Sequence, residues 1–195
     1  PPPSTAPPRS TAEAITRLED ARERYRDADY GKAIDLLDRI RLSDLSLDDR
    51  SDAAALRKRA RDFETMVAGV EPLELAGADD VVTLVLNNGG RVEGRIVKEE
   101  GGYIRLQMNH GILSKFAAGD VRRIERISKS ELRRRREGAF AKEKDKTETL
   151  SPVRVFELAE FCIREGLPEK VTPLLEQGLA MDPSFPEIVY NEKAK

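Results

Sequence analysis

Few side chains in this sequence have the type and spacing that chemistry requires. They are one histidine, His110, one cysteine, Cys162, four aspartates at Asp44, Asp48, Asp49 and Asp52, and a run of arginines between Arg122 and Arg136. A catalytic histidine needs a nucleophile within reach and a third group to orient it. His110 stands between Asn109 and Gly111, which is turn chemistry, with no nucleophile beside it. A reactive cysteine needs exposure and a neighbouring positive group. Cys162 instead continues the helical spacing of Val155, Phe156, Leu158, Ala159 and Ile163, where a thiol packs as a small hydrophobe. The four aspartates lack the central glycine and distal glutamate of a calcium loop, and read as acids at a helix N-terminus. A single cysteine excludes an intramolecular disulfide framework and any multi-cysteine zinc site. Gly89-Gly90 and Gly101-Gly102 have no following Lys-Ser/Thr or helix, so they are hairpin turns, not phosphate loops. No catalytic constellation, cofactor site or metal site emerges, and the chain reads as a non-enzyme.

The arginine run is the one charge feature with a functional reading. Arg122, Arg123, Arg126, Lys129, Arg133, Arg134, Arg135 and Arg136 are interrupted only by Glu125 and Glu131. Such a patch can engage phosphates or an acidic partner. Four consecutive arginines wrap round a helix, however, and no aromatic residues alternate with them as stacking platforms. The whole chain is nearly neutral, with 34 basic and 36 acidic residues among 195, so it has no global pull on nucleic acid. Arg122, Arg123, Arg126, Arg133, Arg134, Arg135 and Arg136 are therefore the candidate partner-binding set. The favoured expectation is a solvated helix, or arginines that bridge to acidic residues of a neighbouring domain or subunit.

These residues need elements to hold them. Ser10-Thr11-Ala12-Glu13 has capping-box spacing, and a first helix with Ile15, Leu18, Ala21 and Tyr25 should follow. After a turn near Ala28-Asp29, a second helix carries Ala33, Ile34, Leu37 and Ile40, and Asp48–Ala68 forms a third with Ala55, Leu56, Ala60, Phe63 and Val67. From Leu73 the period changes to alternation. Val81–Leu86, Arg91–Glu99, Tyr103–Met108, Ile112–Phe116 and Val121–Ile127 read as five short strands. Turns this close imply a small, strongly bent antiparallel barrel, with Gly94 at a bend. Ser128-Lys129-Ser130-Glu131 is a second capping box, opening a charged helix to about Lys146. Ser151-Pro152 starts another helix, and its partner holds Val171, Leu174, Leu175 and Leu179 before Asp182-Pro183. A short final helix follows from Pro186.

The span Ser151–Phe185 resembles a tetratricopeptide repeat through Ala159, Cys162, Gly166, Val171, Leu175, Gly178 and Pro183. Cys162 in place of an aromatic, Val171 in place of alanine, and Pro173 depart from that pattern, and Thr172 would then cap a shortened second helix that starts at Pro173. Ala21, Tyr25, Tyr30, Ala33, Ile34, Leu37 and Ile40 form a second, N-terminal resemblance to the same family. Repeats of this kind need roughly three units for a continuous core. The two copies are thus expected to pack on each other, on the barrel or on another chain. The run Val81–Gly94 resembles the Sm-like and Src-homology-type small barrels, by its apolar strand, Asn/Gly turn and glycine in the next strand. RNA binding does not carry over, because the corresponding loop reads Lys98-Glu99-Glu100-Gly101-Gly102 and its acids would repel phosphate.

The sequence therefore predicts an α+β chain with helical hairpins at both ends and an inserted five-stranded barrel. Its segments would be a proline-rich linker (1–10), a helical segment (11–70), the barrel (71–128) and a charged helix with a helical pair (129–195). The function implied is non-catalytic docking of a protein partner or assembly of a larger complex, and the alternative is an Sm-like nucleic-acid binder using 122–136. No apolar run reaches the ~20 residues of a membrane span, and no signal peptide is visible. The tract PPPSTAPPRS suits a linker to an upstream leader or anchor as well as it suits a solvated tail. Compartment stays open at this point.

Overall fold

The computed structural model describes residues 9–72, 80–108, 111–146 and 150–193. Most of the proline-rich tract, the turn at Asn109 and His110, and the side chain of Ser10 lie outside them. In chain order the elements are helices α1 (Arg9–Arg26), α2 (Tyr30–Asp38) and α3 (Leu47–Val67), then strands β1 (Val81–Leu86), β2 (Arg91–Glu100), β3 (Tyr103–Gln107), β4 (Leu113–Ala117) and β5 (Val121–Arg126). Helices α4 (Lys129–Asp145), α5 (Pro152–Arg164), α6 (Pro168–Met181) and α7 (Phe185–Lys193) follow. They fall into two compact units. One joins Pro1–Gly69 to Leu150–Ala159 and Pro168–Lys195; the other joins Val70–Thr149 to Glu160–Leu167.

In the helical unit, Ala14, Leu18, Ala21 and Tyr25 recur every three or four residues and are all buried, so α1 presents one apolar stripe. Ala21 and Ala33 have no exposed surface, and their small side chains let α1 and α2 approach closely. Ala28, at φ 59°, closes α1 in the left-handed region. Ser46 caps α3 by accepting the Asp49 N–H at 3.1 Å, and Asp48 and Asp49 occupy its first turn, where the helix dipole favours them. The buried stripe of α3 is Ala53, Leu56, Ala60, Phe63 and Met66, rotated from the expected one, since Ala55 is exposed. Gly69, at φ 80°, follows its end.

Helices from both ends of the chain share this unit. Tyr25, Tyr30 and Phe63 form an aromatic cluster with centroids 5.6–5.8 Å apart. Thr172 on α6 is buried against it. Its hydroxyl donates to the Tyr25 carbonyl at 2.8 Å and receives the Tyr30 hydroxyl at 2.9 Å. The expected shortened helix capped by Thr172 is thus corrected: α6 runs continuously with Pro173 inside it, and the threonine oxygen is used by the tyrosines. The Tyr25 hydroxyl donates to Glu176 at 2.5 Å, and the same carboxylate pairs with Arg59 at 3.4 Å. Lys193 on α7 donates to the carbonyls of Met66 and Ala68 at 2.6 and 2.9 Å, satisfying groups that the end of α3 leaves open.

The second unit holds an antiparallel sheet of order β4-β3-β2-β1-β5. The five strands lie close to where alternation places them, but the expected Sm-like barrel is corrected. Among the described residues β4 and β5 share no ladder and stand as the two edges of an open sheet. The reason lies at the last strand: Ser128 accepts the Glu131 N–H at 3.2 Å and starts α4, so β5 stops after six residues, too short to run on from β1 to β4; it pairs with β1 through Val121 and Arg123–Arg126, with a bulge at Arg122. With the barrel gone, the combined picture of repeat pairs flanking a small barrel no longer describes the chain. What stands is a mixed α+β fold with helices and an open five-stranded sheet.

The sheet nonetheless carries features of the kind that bend strands. A Cβ at Gly94 would lie 2.5 Å from Leu106 Cγ and 2.6 Å from the Gln107 carbonyl oxygen, so only glycine lets β2 and β3 close up there. A bulge between Ile96 and Lys98 adds to the bend.

Candidate functional site: the open edge of the sheet

Paired residues of an antiparallel ladder point to one face, so the registers sort the side chains. On one face Val82, Leu84, Ile104 and Leu106 are buried, with Leu86, Val92, Ile96, Met108, Phe116 and Val121 packed round them. Ile124 and Arg126 belong to this face, opposite Leu84 and Val82. Because β5 has no outer neighbour, the apolar face is uncovered along it, and Ile124 remains 38% exposed. A cleft of about 630 Å³ opens there, lined among others by Val82, Ile96, Glu99, Ile124, Arg126 and Ser128. A second hollow of about 440 Å³ shares Glu99 and Ile124 and continues past Tyr103 and Val121.

The backbone of β5 is equally available. The Ile127 N–H donates to the Val81 carbonyl at 3.1 Å, so by alternation Arg123 and Glu125 also turn their peptide groups toward β1. Those of Ile124 and Arg126 face outward. On β4 the bond from Met108 N–H to the Ile112 carbonyl sets the opposite parity, leaving Leu113, Lys115 and Ala117 on the outer side. Edges of this kind are templates for another strand.

The structure divides the arginine run. On the other face of the sheet, Arg91 reaches across β1 to Glu125 at 2.5 Å, and Arg123 pairs with the same carboxylate. On α4, Leu132 packs against Val81 and Ile127, which turns the arginines after it to the flanks. Arg135 pairs with Glu131 at 3.0 Å and with Glu93 of β2 at 3.3 Å, Arg134 with Glu131 at 2.7 Å, and Arg133 with Glu137 at 3.1 Å. The Arg135 hydrogen bond, helped by Arg134, holds the Glu131 carboxyl below its usual range. Arg136 also interacts within the protein. Such exposed pairs add little stability, but they cancel the positive charge locally. Arg122 and Arg126 make no ion pair with a described residue. These two flank Ile124 on the free strand.

Sequence reasoning listed both arginines as members of a charge run and missed their relation to Ile124. The alternation of Ile124 and Arg126 was the available signal; it does not extend to Arg122, which lies at a bulge because Val85 pairs with Arg123 and Leu86 with Val121. Cys162 is buried, and among the described residues no group of three His, Cys, Asp or Glu is placed to hold a metal ion. No described helix is long and apolar enough to cross a membrane. Comparison of the chain with family models, curated proteins and solved structures finds no match.

Proposed function

We propose that this chain is a non-catalytic docking or assembly module that binds a protein partner through the open edge of its sheet. The observation that carries this reading is the free β5 strand, whose outward peptide groups lie beside an uncovered apolar cleft. An extended segment added there would satisfy the backbone donors and acceptors and cover Ile124 at once. Nucleic-acid binding through 122–136 is disfavoured, because Arg123, Arg133, Arg134 and Arg135 are engaged by carboxylates of the same unit.

The test places a photo-crosslinking amino acid at Ile124, at Leu113 on the other edge, and at exposed Glu19 on α1 as a control. Protein adducts concentrated at the edge positions are expected. Adducts from Glu19 alone, or substrate turnover by the purified chain, would overturn the proposal.

A further inference from the structure

We infer that the β5 edge takes an extended peptide whose apolar residue covers Ile124 and whose carboxylate, two residues along, meets Arg126, while Arg122, at the bulge where the register passes from Arg123 to Val121, adds positive charge at the other end of the strand. This rests on the docking reading above and specifies the partner. Three observations on β5 converge on that chemistry. Ile124 and Arg126 point their peptide groups outward, so a strand laid alongside can continue the ladder. Directly opposed residues of such a pair share a face, and an added strand sets its residue opposite Ile124 over the apolar cleft containing Ile96 and Val82. Its neighbour two positions away then stands beside Arg126, which shares the face of Ile124.

Charge decides the sign of the partner. Arg123, between the two, is already matched to Glu125, and Asp80 in the cleft wall is matched to Arg95 at 3.0 Å. Arg122 and Arg126 are the guanidinium groups on this strand that an incoming carboxylate finds without a partner among the described residues. The far rim of the two hollows carries Glu99 and Glu100. A polyphosphate backbone crossing the cleft meets those acids in any register, whereas a peptide confines its negative groups to the side next to β5. The apolar floor offers a base no aromatic plane among the described lining residues other than Tyr103, whose ring already carries Lys115 Nζ at 3.7 Å.

The probe is a fluorescent heptapeptide, Thr-Asp-Thr-Val-Thr-Asp-Thr, compared by anisotropy with the version carrying Lys at both Asp positions and with a single-stranded oligouridine. The Asp peptide should bind about fivefold more tightly than the Lys peptide, as one exposed charge pair changing sign implies. Arg126→Glu should erase or invert that preference; Arg126 holds no intramolecular pair, so its replacement leaves the fold intact. Ile124→Pro, which removes an outward N–H and none of the bonds to β1, should abolish binding of both peptides. Circular dichroism checks that each variant is folded. Equal affinity for the two peptides, a preference unchanged in Arg126→Glu, or tighter binding of the oligouridine would overturn the inference. Crosslinks at Ile124 or Leu113 without an Asp preference would sink this inference and leave the docking reading standing. Failure of both peptide binding and edge crosslinking would remove both.

Discussion

The bend at Gly94 offers the sharpest test of how the sheet is built. In Gly94→Ala the new methyl would stand 2.5 Å from Leu106 Cγ, 2.7 Å from Leu106 Cδ2 and 2.6 Å from the Gln107 carbonyl oxygen. Carbon contacts settle at about 3.5–4.0 Å, so something must retreat by roughly 1 Å. Leu106 has no exposed surface into which to move, and the Gln107 oxygen is backbone of β3, paired to β2 and β4. Overpacking of this kind costs about 1–3 kcal/mol. At a urea slope near ~2 kcal/mol/M, the midpoint should fall by roughly 0.5–1.5 M with the slope unchanged. The double-mutant cycle with Leu106→Ala isolates the collision. That truncation alone should cost about 2–5 kcal/mol, but it removes two of the three close contacts. The pair should therefore be less destabilised than the sum by about 1 kcal/mol or more. A loss below ~0.5 kcal/mol for Gly94→Ala, or strict additivity with Leu106→Ala, would refute the account of the bend.

Two further outcomes follow from the helical unit. Thr172→Val keeps the shape but strands the Tyr30 hydroxyl in a buried site and leaves the Tyr25 carbonyl with the Ala28 N–H alone, and should cost about 1–3 kcal/mol in urea denaturation; a neutral result would mean that water replaces the threonine. Burial pushes the Tyr30 hydroxyl up to about 12, and burial with the Glu176 hydrogen bond pushes Tyr25 higher still. Unfolded tyrosine titrates near ~10, so above that pH the unfolded chain releases protons that the folded one retains. Stability is thus fully present below pH ~10 and declines as the pH rises toward 12, and Tyr30→Phe should flatten that decline. A flat alkaline profile for the wild-type chain would contradict the burial argument.

Local chemistry made much of the fold legible. The apolar run Val81–Leu86 placed β1 without error, Gly89 and the Gly101-Gly102 pair adopt the positive φ their turns require, and Ser128 caps α4 through the N–H that its spacing indicated. The second half of that capping box did not form, because Glu131 turns to Arg134 and Arg135. Pro173 misled in the same way: its local cost argued for a helix break, but the position of Thr172 between two tyrosines from 140 or more residues away outweighed it. The candidate site was only half legible. Its residues stood in the sequence as charges in a run; the pairs of Arg133, Arg134 and Arg135 with Glu137 and Glu131 lie at helical spacing, whereas the reach of Arg135 to Glu93 and the place of Arg126 beside the apolar cleft depended on other strands.

The sequence by itself determined the periods, caps and turns, hence the five strands and seven helices of the described residues close to where they lie. Those are properties of contacts within a few residues. Whether the sheet closes is a property of its ends. Only the tertiary structure decided that β4 and β5 stay apart, because that outcome depends on how far ladders, bulges and the Gly94 bend carry two edges separated by three intervening strands. No local pattern encodes that sum, and it leaves Ile124 and its flanking arginines exposed.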